Sequence, residues 1–430
     1  MRVENCRGWY LVVGLLVAGG VSNPAAAQDG RAAAQVAADV RFLASDALEG
    51  RFTGSLGADR AATYLARRFA AVGAKPGVPG WRQAFPIAPD APALAPIPPE
   101  RRPAAGANVV AIVPGTDRAL RDEAVVVGAH YDHLGRGALG AMDPAAGDLI
   151  RNGADDNASG AAALLEIARR LAARPPRRSV VIVAFAGEEL GLLGSAAYVK
   201  APVISIERTV AMINLDMVGR LRNDRLLVFG SETAREFPAL LDTLNQVAHF
   251  DLHYSGDGFG RSDQQSFFLA KRPVLHLFTD LHEDYHRATD DADKINGPGL
   301  ARVAAFAADL VRILADRVAP LTFVDRAPPV EAAGVARTGG YGAYLGTVPD
   351  MSGGGPGVRL SGVRPSSPAD QAGLRADDVL LRIGRFLVTD LHAMTDALRG
   401  HQPGDTTMVV YRRGGVMDSV RVVLGRRGGS

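Results

Sequence analysis

Residues 124–132 read Ala-Val-Val-Val-Gly-Ala-His-Tyr-Asp, an apolar run that leads directly into His130. A run of this kind, rich in β-branched residues and without polar alternation, is typical of a strand buried on both faces. The same pattern recurs at 179–189 and at 209–216, where apolar runs end in glutamate and aspartate. In parallel sheets ligands bind beyond the carboxyl ends of the strands. These stretches therefore predict a buried sheet with a polar site along one edge.

Helical stretches alternate with these strands over most of the chain. Such alternation predicts an α/β fold in which a mostly parallel sheet is sandwiched by helices. The predicted helices are Ala33–Leu48, Ala58–Val72, Ala158–Ala173, Gly194–Lys200, Ala234–Ala248 and Leu300–Val318. The predicted strands are Asn108–Val113, Ala124–Ala129, Ser179–Ala186, Thr209–Leu215, Leu226–Phe229 and Pro273–Phe278.

Composition excludes several classes of protein. The 430 residues include 47% hydrophobic and 22% charged residues, which is ordinary for a soluble globular protein and unlike a disordered or collagen-like chain. At roughly 150 residues per domain, the length predicts two or three domains. The formal net charge is only +2 and no run of like charges stands out, so neither a nucleic acid nor an anionic membrane is an expected partner.

The N-terminus has the pattern of a signal peptide. Arg2 and Arg7 give the first residues a positive charge, and Trp9–Ala18 is apolar. Ala25–Ala27 then provides the small residues at which a signal peptide is cleaved. We therefore predict a signal peptide over residues 1–27 and export to the periplasm or the medium. The apolar stretch is far shorter than the ~20 residues of a membrane span, so no span is expected after cleavage. An uncleaved anchor or a buried N-terminal helix is the alternative.

Composition shifts predict the domain boundaries. We expect a catalytic domain over residues 28–318, a Pro/Ala/Gly-rich linker over 319–340 and a smaller β-rich domain over 341–430. The last of these contains several short strand-like runs and one predicted helix, Leu391–Arg399.

Five segments of the first domain place carboxylates or imidazoles near predicted strand ends: His130–Asp132, Asn152–Asn157, Gly187–Glu189, Asp216 and His282–His286. Gathered without partners, these groups would repel one another and be costly to desolvate, a cost that a bound cation removes. Taken singly, each is equally consistent with a hydrogen-bonded surface residue or a helix cap.

The choice of metal depends on cysteine. The single cysteine, Cys6, lies within the predicted signal peptide, so the mature protein would have neither disulfides nor thiolate ligands. Oxygen and imidazole donors favour Zn²⁺, with Mn²⁺ and Co²⁺ as alternatives.

The order of these motifs resembles a known family. It is the zinc-dependent exopeptidase family that includes bacterial leucyl aminopeptidases, glutamate carboxypeptidase and glutaminyl cyclase. The resemblance covers roughly Ala33–Val318. The motifs that carry it are Gly128–His133, Gly153–Gly160, Ala186–Gly191, Asn214–Met217 and Asp284–His286.

The resemblance implies two co-catalytic zinc ions. Asp155 would lie between them, with an Asp155–Asp156 peptide in the cis form. The implied ligand set is His130, Asp155, Glu189, Asp216 and His286. His130 and Asp216 would complete one site, and Glu189 and His286 the other.

Two further carboxylates receive roles from the same resemblance. Glu188 would be the general base, and Asp132 would orient the imidazole of His130. A hydroxide held between two zinc ions is a nucleophile at neutral pH, but a carboxylate outside the ligand set must still move the proton to the leaving amine. A metal-bound imidazole also needs an acceptor at its second nitrogen.

A second metal motif overlaps the last segment. His282-Glu283-Asp284-Tyr285-His286 matches the H-E-x-x-H pattern of single-zinc metalloproteases. That pattern requires a helix that places both imidazoles on one face. The surrounding sequence has no apolar stripe of helical period, so we expect a loop, with His282 and Glu283 near the site.

The chain departs from the family pattern upstream of that motif. Gln264 replaces a histidine that the family often carries, and Phe259 stands where some members have a tyrosine that binds the oxyanion. The oxyanion would then be stabilised by the metals or by Tyr131, Tyr285 or Arg261.

The C-terminal domain resembles a bacterial PDZ domain. Tyr344-Leu345-Gly346-Thr347 matches the carboxylate-binding loop, and Val363–Ala369 matches the segment that follows it. The resemblance implies that backbone amides of this loop capture the C-terminus of a peptide ligand. The alternative is a small β domain without a ligand.

We therefore expect an exported aminopeptidase that removes N-terminal residues from peptides. One alternative is an acyltransferase of the glutaminyl cyclase type, which needs one zinc ion. Another is a peptide-binding adaptor whose catalytic domain is inactive.

Overall fold

The computed structural model describes residues 24–425 except 91–93, 95–96, 138–139, 144–145, 257, 259–261, 326–342, 350–356, 365, 389–392, 395–396 and 399. Most of the predicted signal peptide and of the helix predicted at Leu391–Arg399 lies outside the described residues.

The described residues form eight helices and seventeen strands. The helices are α1 (Pro24–Leu43), α2 (Leu56–Ala71), α3 (Gly160–Ala173), α4 (Leu193–Lys200), α5 (Phe237–Ala248), α6 (Gln264–Leu269), α7 (Gly297–Asp316) and α8 (Pro368–Gln371). The strands before α4 are β1 (Lys75–Pro76), β2 (Arg82–Pro86), β3 (Ala105–Val113), β4 (Ala124–His130), β5 (Gly135–Arg136), β6 (Ile150–Arg151) and β7 (Ser179–Phe185). Those between α4 and α7 are β8 (Thr209–Leu215), β9 (Arg225–Phe229), β10 (Asp251–Ser255) and β11 (Val274–Phe278). Those after α7 are β12 (Thr347–Pro349), β13 (Val358–Val363), β14 (Val379–Ile383), β15 (Phe386–Leu387), β16 (Thr406–Arg413) and β17 (Val416–Val423).

A nine-stranded mixed sheet forms the centre of the first domain. Its order is β1-β3-β7-β4-β8-β11-β9-β10, with β2 paired to β3. The inner strands β7, β4, β8 and β11 run parallel, whereas β3 and β9 are antiparallel to their inner neighbours. The parallel centre brings the carboxyl ends of four strands to one edge, as the sequence predicts.

Helices cover both faces of this sheet. Val125 and Val127 of β4 belong to a core formed with α1, α2, α3, α5 and α7, whereas Val126 belongs to a second core that includes Phe267 of α6 and Tyr198 of α4. Because successive residues of a strand point to opposite faces, the two cores lie on opposite sides of the sheet. The predicted α/β sandwich is confirmed.

The edges of the sheet carry only a weak sequence signal. Strands β2 and β10 were not predicted, because Arg82–Pro86 and Asp251–Ser255 are short and polar and lack a continuous apolar run. Within the predicted linker, Phe323 forms a β-bridge with Ala234, and its ring centroid lies 5.8 Å from that of Phe268.

The C-terminal domain is built around a six-stranded antiparallel sheet. Its order is β12-β13-β14-β16-β17, with β15 paired to β14. A separate small core lies within it, with Leu360, Leu380 and Val409 fully buried. This agrees with the predicted β-rich domain.

None of the helices in the described part of the chain combines the length and the apolarity that a membrane span requires.

A neutral histidine lies within the central sheet. Nδ1 of His276 on β11 is 3.0 Å from Nδ2 of Asn214, which donates to it, so the ring carries its proton on Nε2. The ring packs between those of Phe229 and Phe278, with centroids 5.5 and 6.0 Å away. Burial lowers the pKa of His276 to about 4.

This pKa predicts a loss of stability in acid. An unfolded histidine has a pKa of about 6.5, so as the pH falls the unfolded chain takes up this proton before the folded chain does. Between about pH 7.5 and pH 4.5, His276 should lower the free energy of unfolding by about 2 kcal/mol. Fluorescence of Trp81 would follow denaturation in excess chelator. The variant His276→Gln should lose correspondingly less stability over this range, and an equal loss in both proteins would contradict the burial of a neutral ring.

Candidate metal centre

Three parallel strands deliver polar side chains to the same edge of the sheet. His130 is the last residue of β4, Asp216 follows β8 directly, and Glu188 and Glu189 lie shortly after β7. The segment Ala154–Ser159, directly before α3, and the loop that follows β11 complete the edge. The predicted convergence of these segments is therefore present in the fold.

The first group of potential ligands contains His130, Asp156 and Asp216. Nε2 of His130 lies 3.2 Å from Oδ1 of Asp156 and 3.3 Å from Oδ1 of Asp216. The three donor atoms all lie within 4.8 Å of one another, a spacing that allows one cation to contact all three.

The second group lies on the other side of Asp156. Nε2 of His286 is 3.0 Å from Oδ2 of Asp156 and 3.4 Å from Oε2 of Glu189. Nδ1 of His133 is 2.8 Å from Oε1 of Glu189 and 3.8 Å from Oδ2 of Asp156. The two carboxylate oxygens of Asp156 thus face the two groups.

The structure contradicts the predicted position of Asp155. Oδ1 of Asp155 accepts a hydrogen bond from the amide of Gly219 at 2.6 Å, and Oδ2 lies 3.2 Å from Nε2 of His282. Asp155 belongs to neither group of potential ligands, and Asp156 occupies the position between them. The sequence could not distinguish two adjacent aspartates, because the local backbone decides which one faces the edge.

The predicted position of the cis peptide bond is also wrong, by one residue. The cis bond joins Asp156 to Asn157, not Asp155 to Asp156. The side chain of Asn157 is held by the main chain, since its Oδ1 accepts from the amide of Gly160 and its Nδ2 donates to the carbonyl of Leu215.

The imidazoles are oriented by backbone carbonyls. Nδ1 of His286 donates to the carbonyl of Gly140 at 2.9 Å. Nδ1 of His130 lies 3.1 Å from the carbonyl oxygen of Asp132, whereas the nearer carboxylate oxygen of Asp132 is 3.7 Å away. Asp132 therefore does orient His130, but through its main chain, and both bonds leave Nε2 facing the carboxylates.

The carboxylate of Asp132 serves other partners. Oδ2 accepts from the hydroxyl of Thr53 at 2.7 Å, and Oδ1 accepts from the amide of Glu188 at 3.3 Å. It thereby ties the loop after β4 to the loop after β7.

Charge offset within the site explains its pKa values. Burial opposes protonation of His130, but the carboxylates of Asp216 and Glu188 raise its pKa well above the usual value. Burial would likewise raise the pKa of Asp156, yet hydrogen bonds from His130 and His286 lower it well below. Imidazolium protons and a divalent cation are alternative ways to offset the same carboxylates, because a ligand imidazole must be neutral.

Glu188 differs from its neighbour. Burial is the largest cause of a pKa well above the usual carboxyl value, with the charges of Glu189 and Asp216 adding to it and that of His130 opposing it. For Glu189, burial is outweighed by the charge of His286, and the pKa is lowered to about 2. The pKa values of two adjacent glutamates are thus shifted in opposite directions. A raised pKa suits Glu188 to proton transfer, and a lowered pKa suits Glu189 to binding a cation.

A buried charged network lies behind Asp156. Oδ2 of Asp290 accepts hydrogen bonds from the amides of Asp155 and Asp156 at 2.9 and 3.1 Å. Oδ1 of Asp290 accepts from Arg220, which also pairs with Asp284 at 2.7 Å. Neither Asp290 nor Arg220 was predicted as a site residue, because nothing in their local sequence shows that they meet.

His133 was also missed as a site residue. It lies within the quoted motif Gly128–His133, but neither spacing nor resemblance assigned it a role. Its side chain is fully buried and its Nε2 has no hydrogen-bond partner among the described residues. Its proximity to His130 in sequence was the available signal.

The single-zinc motif is not formed. Residues 282–286 lie in turns rather than in a helix, as expected. Nε2 of His282 faces the carboxylate of Asp155, whereas Nε2 of His286 faces that of Asp156, so the two imidazoles do not share one set of partners.

The candidates for oxyanion stabilisation have different environments. The hydroxyl of Tyr131 donates to the carbonyl of Ala107 at 2.7 Å and is engaged within the fold. The ring of Tyr285 stacks on that of His286 with centroids 3.9 Å apart. Phe259 and Arg261 lie outside the described residues.

The predicted carboxylate-binding loop of the second domain, residues 344–347, leads directly into β12. Tyr344 exchanges two backbone hydrogen bonds with Gly425, Leu345 is buried, and Thr347 begins β12. Gly346 has a φ of 85°, and a Cβ there would lie 2.2 Å from that of Ser367, so the turn requires glycine.

Comparison with known proteins agrees with this geometry. Residues 108–311 match the model of peptidase family M28, and residues 343–424 match that of the PDZ domain. A probable leucine aminopeptidase from Arthroderma otae is 29% identical over 201 residues, which cover 44% of this chain and 52% of that protein. A probable zinc metalloprotease from Leptosphaeria maculans is 36% identical over 118 residues, which cover 27% of this chain and 26% of that protein.

Solved structures share the fold. A zinc aminopeptidase from Bacillus subtilis has a TM-score of 0.51 at 18% identity, with 65% of this chain and 94% of that chain covered. A glutaminyl cyclase from Bacteroides thetaiotaomicron has a TM-score of 0.52 at 20% identity, with 65% and 97% covered. This chain thus carries a domain of peptidase family M28 followed by a PDZ domain.

Proposed function

We propose that this protein is an exported aminopeptidase that uses two zinc ions to remove N-terminal residues from peptides. The observation that carries the proposal is the position of Asp156, whose two oxygens face separate groups of nitrogen and oxygen donors. The family match and the named relatives support peptide hydrolysis.

The donor set fits zinc. Imidazole and carboxylate ligands without thiolate are typical of catalytic zinc sites. His130 and Asp216 would hold one ion, Glu189 and His286 the other, and Asp156 would contact both. Zinc ions there would supply a Lewis acid and lower the pKa of water.

Glu188 would move the proton. Its partly buried carboxyl belongs to neither ligand group, and its raised pKa brings it closer to the pH at which proton transfer is efficient. It would take a proton from the attacking water and deliver it to the departing amine. The backbone amide of Glu188 donates to Asp132, and this bond holds the main chain from which the glutamate side chain extends.

Metal content tests the assignment of Asp156. We expect the wild-type protein to hold about two zinc ions per chain, Asp156→Asn to hold one or fewer, and Asp155→Asn to retain about two, because only Asp156 lies between the donor groups. Inductively coupled plasma mass spectrometry of dialysed protein would measure this. Loss of zinc from Asp155→Asn alone would restore the assignment made from sequence.

Activity tests the role of Glu188. Glu188→Gln removes the proton acceptor but no proposed ligand, so kcat on a chromogenic amino-acid amide should fall by roughly 10²–10⁴-fold while zinc content is retained. Chelation should abolish wild-type activity. Glu207→Gln, at an exposed site, is the matched control. Unchanged turnover in Glu188→Gln would refute this role, and a wild type inactive on all such amides would favour the adaptor.

The glutaminyl cyclase alternative is supported by the shared fold alone. It predicts one zinc ion per chain and conversion of N-terminal glutamine without release of a free amino acid. The same metal determination, together with mass spectrometry of a mixed peptide pool, separates the two activities.

We also propose that the protein is exported and that its second domain binds peptides. The basic and apolar pattern of residues 1–27 supports a cleaved signal peptide and a periplasmic or secreted enzyme. The PDZ domain supports binding of a peptide C-terminus at residues 344–347.

A further inference from the structure

Residues 46–53, which we name the brace, precede the part of the chain that matches the peptidase family. The brace follows α1 and contains a short 3₁₀ segment, Asp46–Arg51. It is packed closely against α2, since a Cβ at Gly57 would lie only 1.8 Å from the carbonyl oxygen of Leu48. Its path is therefore tightly defined.

Arg51 connects the brace to two loops of the metal centre. Its guanidinium is fully buried and donates to the carbonyls of Tyr131 at 2.7 Å, Asn152 at 2.6 Å and Gly153 at 3.0 Å. It also donates to Leu43 at the end of α1. One side chain thus joins the N-terminal helix to both loops.

These carbonyls adjoin the proposed ligands. Tyr131 lies between His130 and Asp132, and Asn152 and Gly153 lie just before Asp156. Burial lowers the pKa of Arg51 to about 10, partly offset by the carboxylates of Asp132 and Asp156, so the group remains cationic at neutral pH. Arg51 therefore also offsets some of the negative charge.

Thr53 connects the brace to the third loop. Its hydroxyl donates to Oδ2 of Asp132 at 2.7 Å and accepts from the amide of Gly187 at 2.9 Å. Oδ1 of Asp132 accepts from the amide of Glu188. Thr53 and Asp132 together therefore hold the two consecutive amides of Gly187 and Glu188, the second of which belongs to the proposed base. Loss of the hydroxyl would leave a buried acceptor and a buried amide without their partner.

We propose that Thr53 and Arg51 are positioning residues that hold the three ligand-bearing loops in the geometry required for metal binding and proton transfer. The inference rests on the proposed function for its kinetic consequences but not for its structural ones. Neither residue touches the donor groups, so each acts through another residue. Outer partners of metal ligands typically contribute about 10–100-fold in metal affinity or activity.

The decisive comparison is Thr53→Val against Thr53→Ser in the full-length protein. Valine removes both hydrogen bonds with little change of shape, whereas serine keeps the hydroxyl. We expect Thr53→Val to weaken zinc affinity or lower kcat by about 10–100-fold with little change in KM, and Thr53→Ser to remain within about threefold of wild type. Competition with a fluorescent chelator would measure zinc affinity without reference to turnover.

Thr233→Val is the matched control. Thr233 is also buried, and its hydroxyl bonds to the main chain of Gly230 and Val274 at the opposite end of β11. This variant should lower the thermal midpoint while zinc affinity and kcat stay near wild type. If Thr53→Val and Thr53→Ser behave alike, or if Thr233→Val alters zinc affinity equally, the positioning role is wrong.

Arg51→Lys provides a second measurement should Thr53→Val fail to fold. Lysine keeps the charge but cannot reach all the carbonyls in the fork geometry of arginine. We expect weaker zinc binding by a similar factor, and unaltered affinity would overturn the role of Arg51. Failure of the proposed function is distinguishable, because it would leave wild-type protein without zinc-dependent hydrolysis, whereas failure of this inference would leave the wild type active and the variants unchanged.

Discussion

The carboxylates and imidazoles gathered at one edge of the sheet must have their charges offset, and much of the domain is arranged around that requirement. Isolated charges are very costly to bury. Here Asp156 lies between His130 and His286, and Glu189 lies between His286 and His133. Each of these carboxylates therefore lies next to an imidazole, and a metal ion bound there would offset its charge. The same arrangement separates the proton affinities of Glu188 and Glu189.

The surrounding shell keeps these groups in place with main-chain hydrogen bonds. Asp290 holds the amide of Asp156, Gly140 orients His286, and Asp132 orients His130 through its carbonyl. Asp290 and Gly140 are far in sequence from the residues that they hold, so these two bonds restrict the loops only once the sheet has formed. The brace extends the same principle beyond the region that matches the peptidase family. A metal centre built from distant loops requires this support because small displacements change coordination distances.

The central strands and most helices could be predicted because they carry strong local signals. Buried parallel strands such as β4 appear as continuous apolar runs, and long helices such as α7 have a clear period. Edge strands lack that signal. Most of the proposed site was also predictable, since motifs at strand ends meet at one edge. The choice between Asp155 and Asp156 was not, because adjacent residues in an irregular turn point in directions that only the backbone determines.

The sequence by itself determined the α/β architecture, the presence of a second β-rich domain and the edge of the sheet at which the polar groups converge. These follow from hydrophobic periodicity and from the geometry of parallel strands. Only the tertiary structure decided that Asp156 faces both donor groups, that His133 joins them, and that Arg51 and Thr53 reach three loops. Those facts depend on contacts between segments far apart in the chain, about which local sequence carries no information.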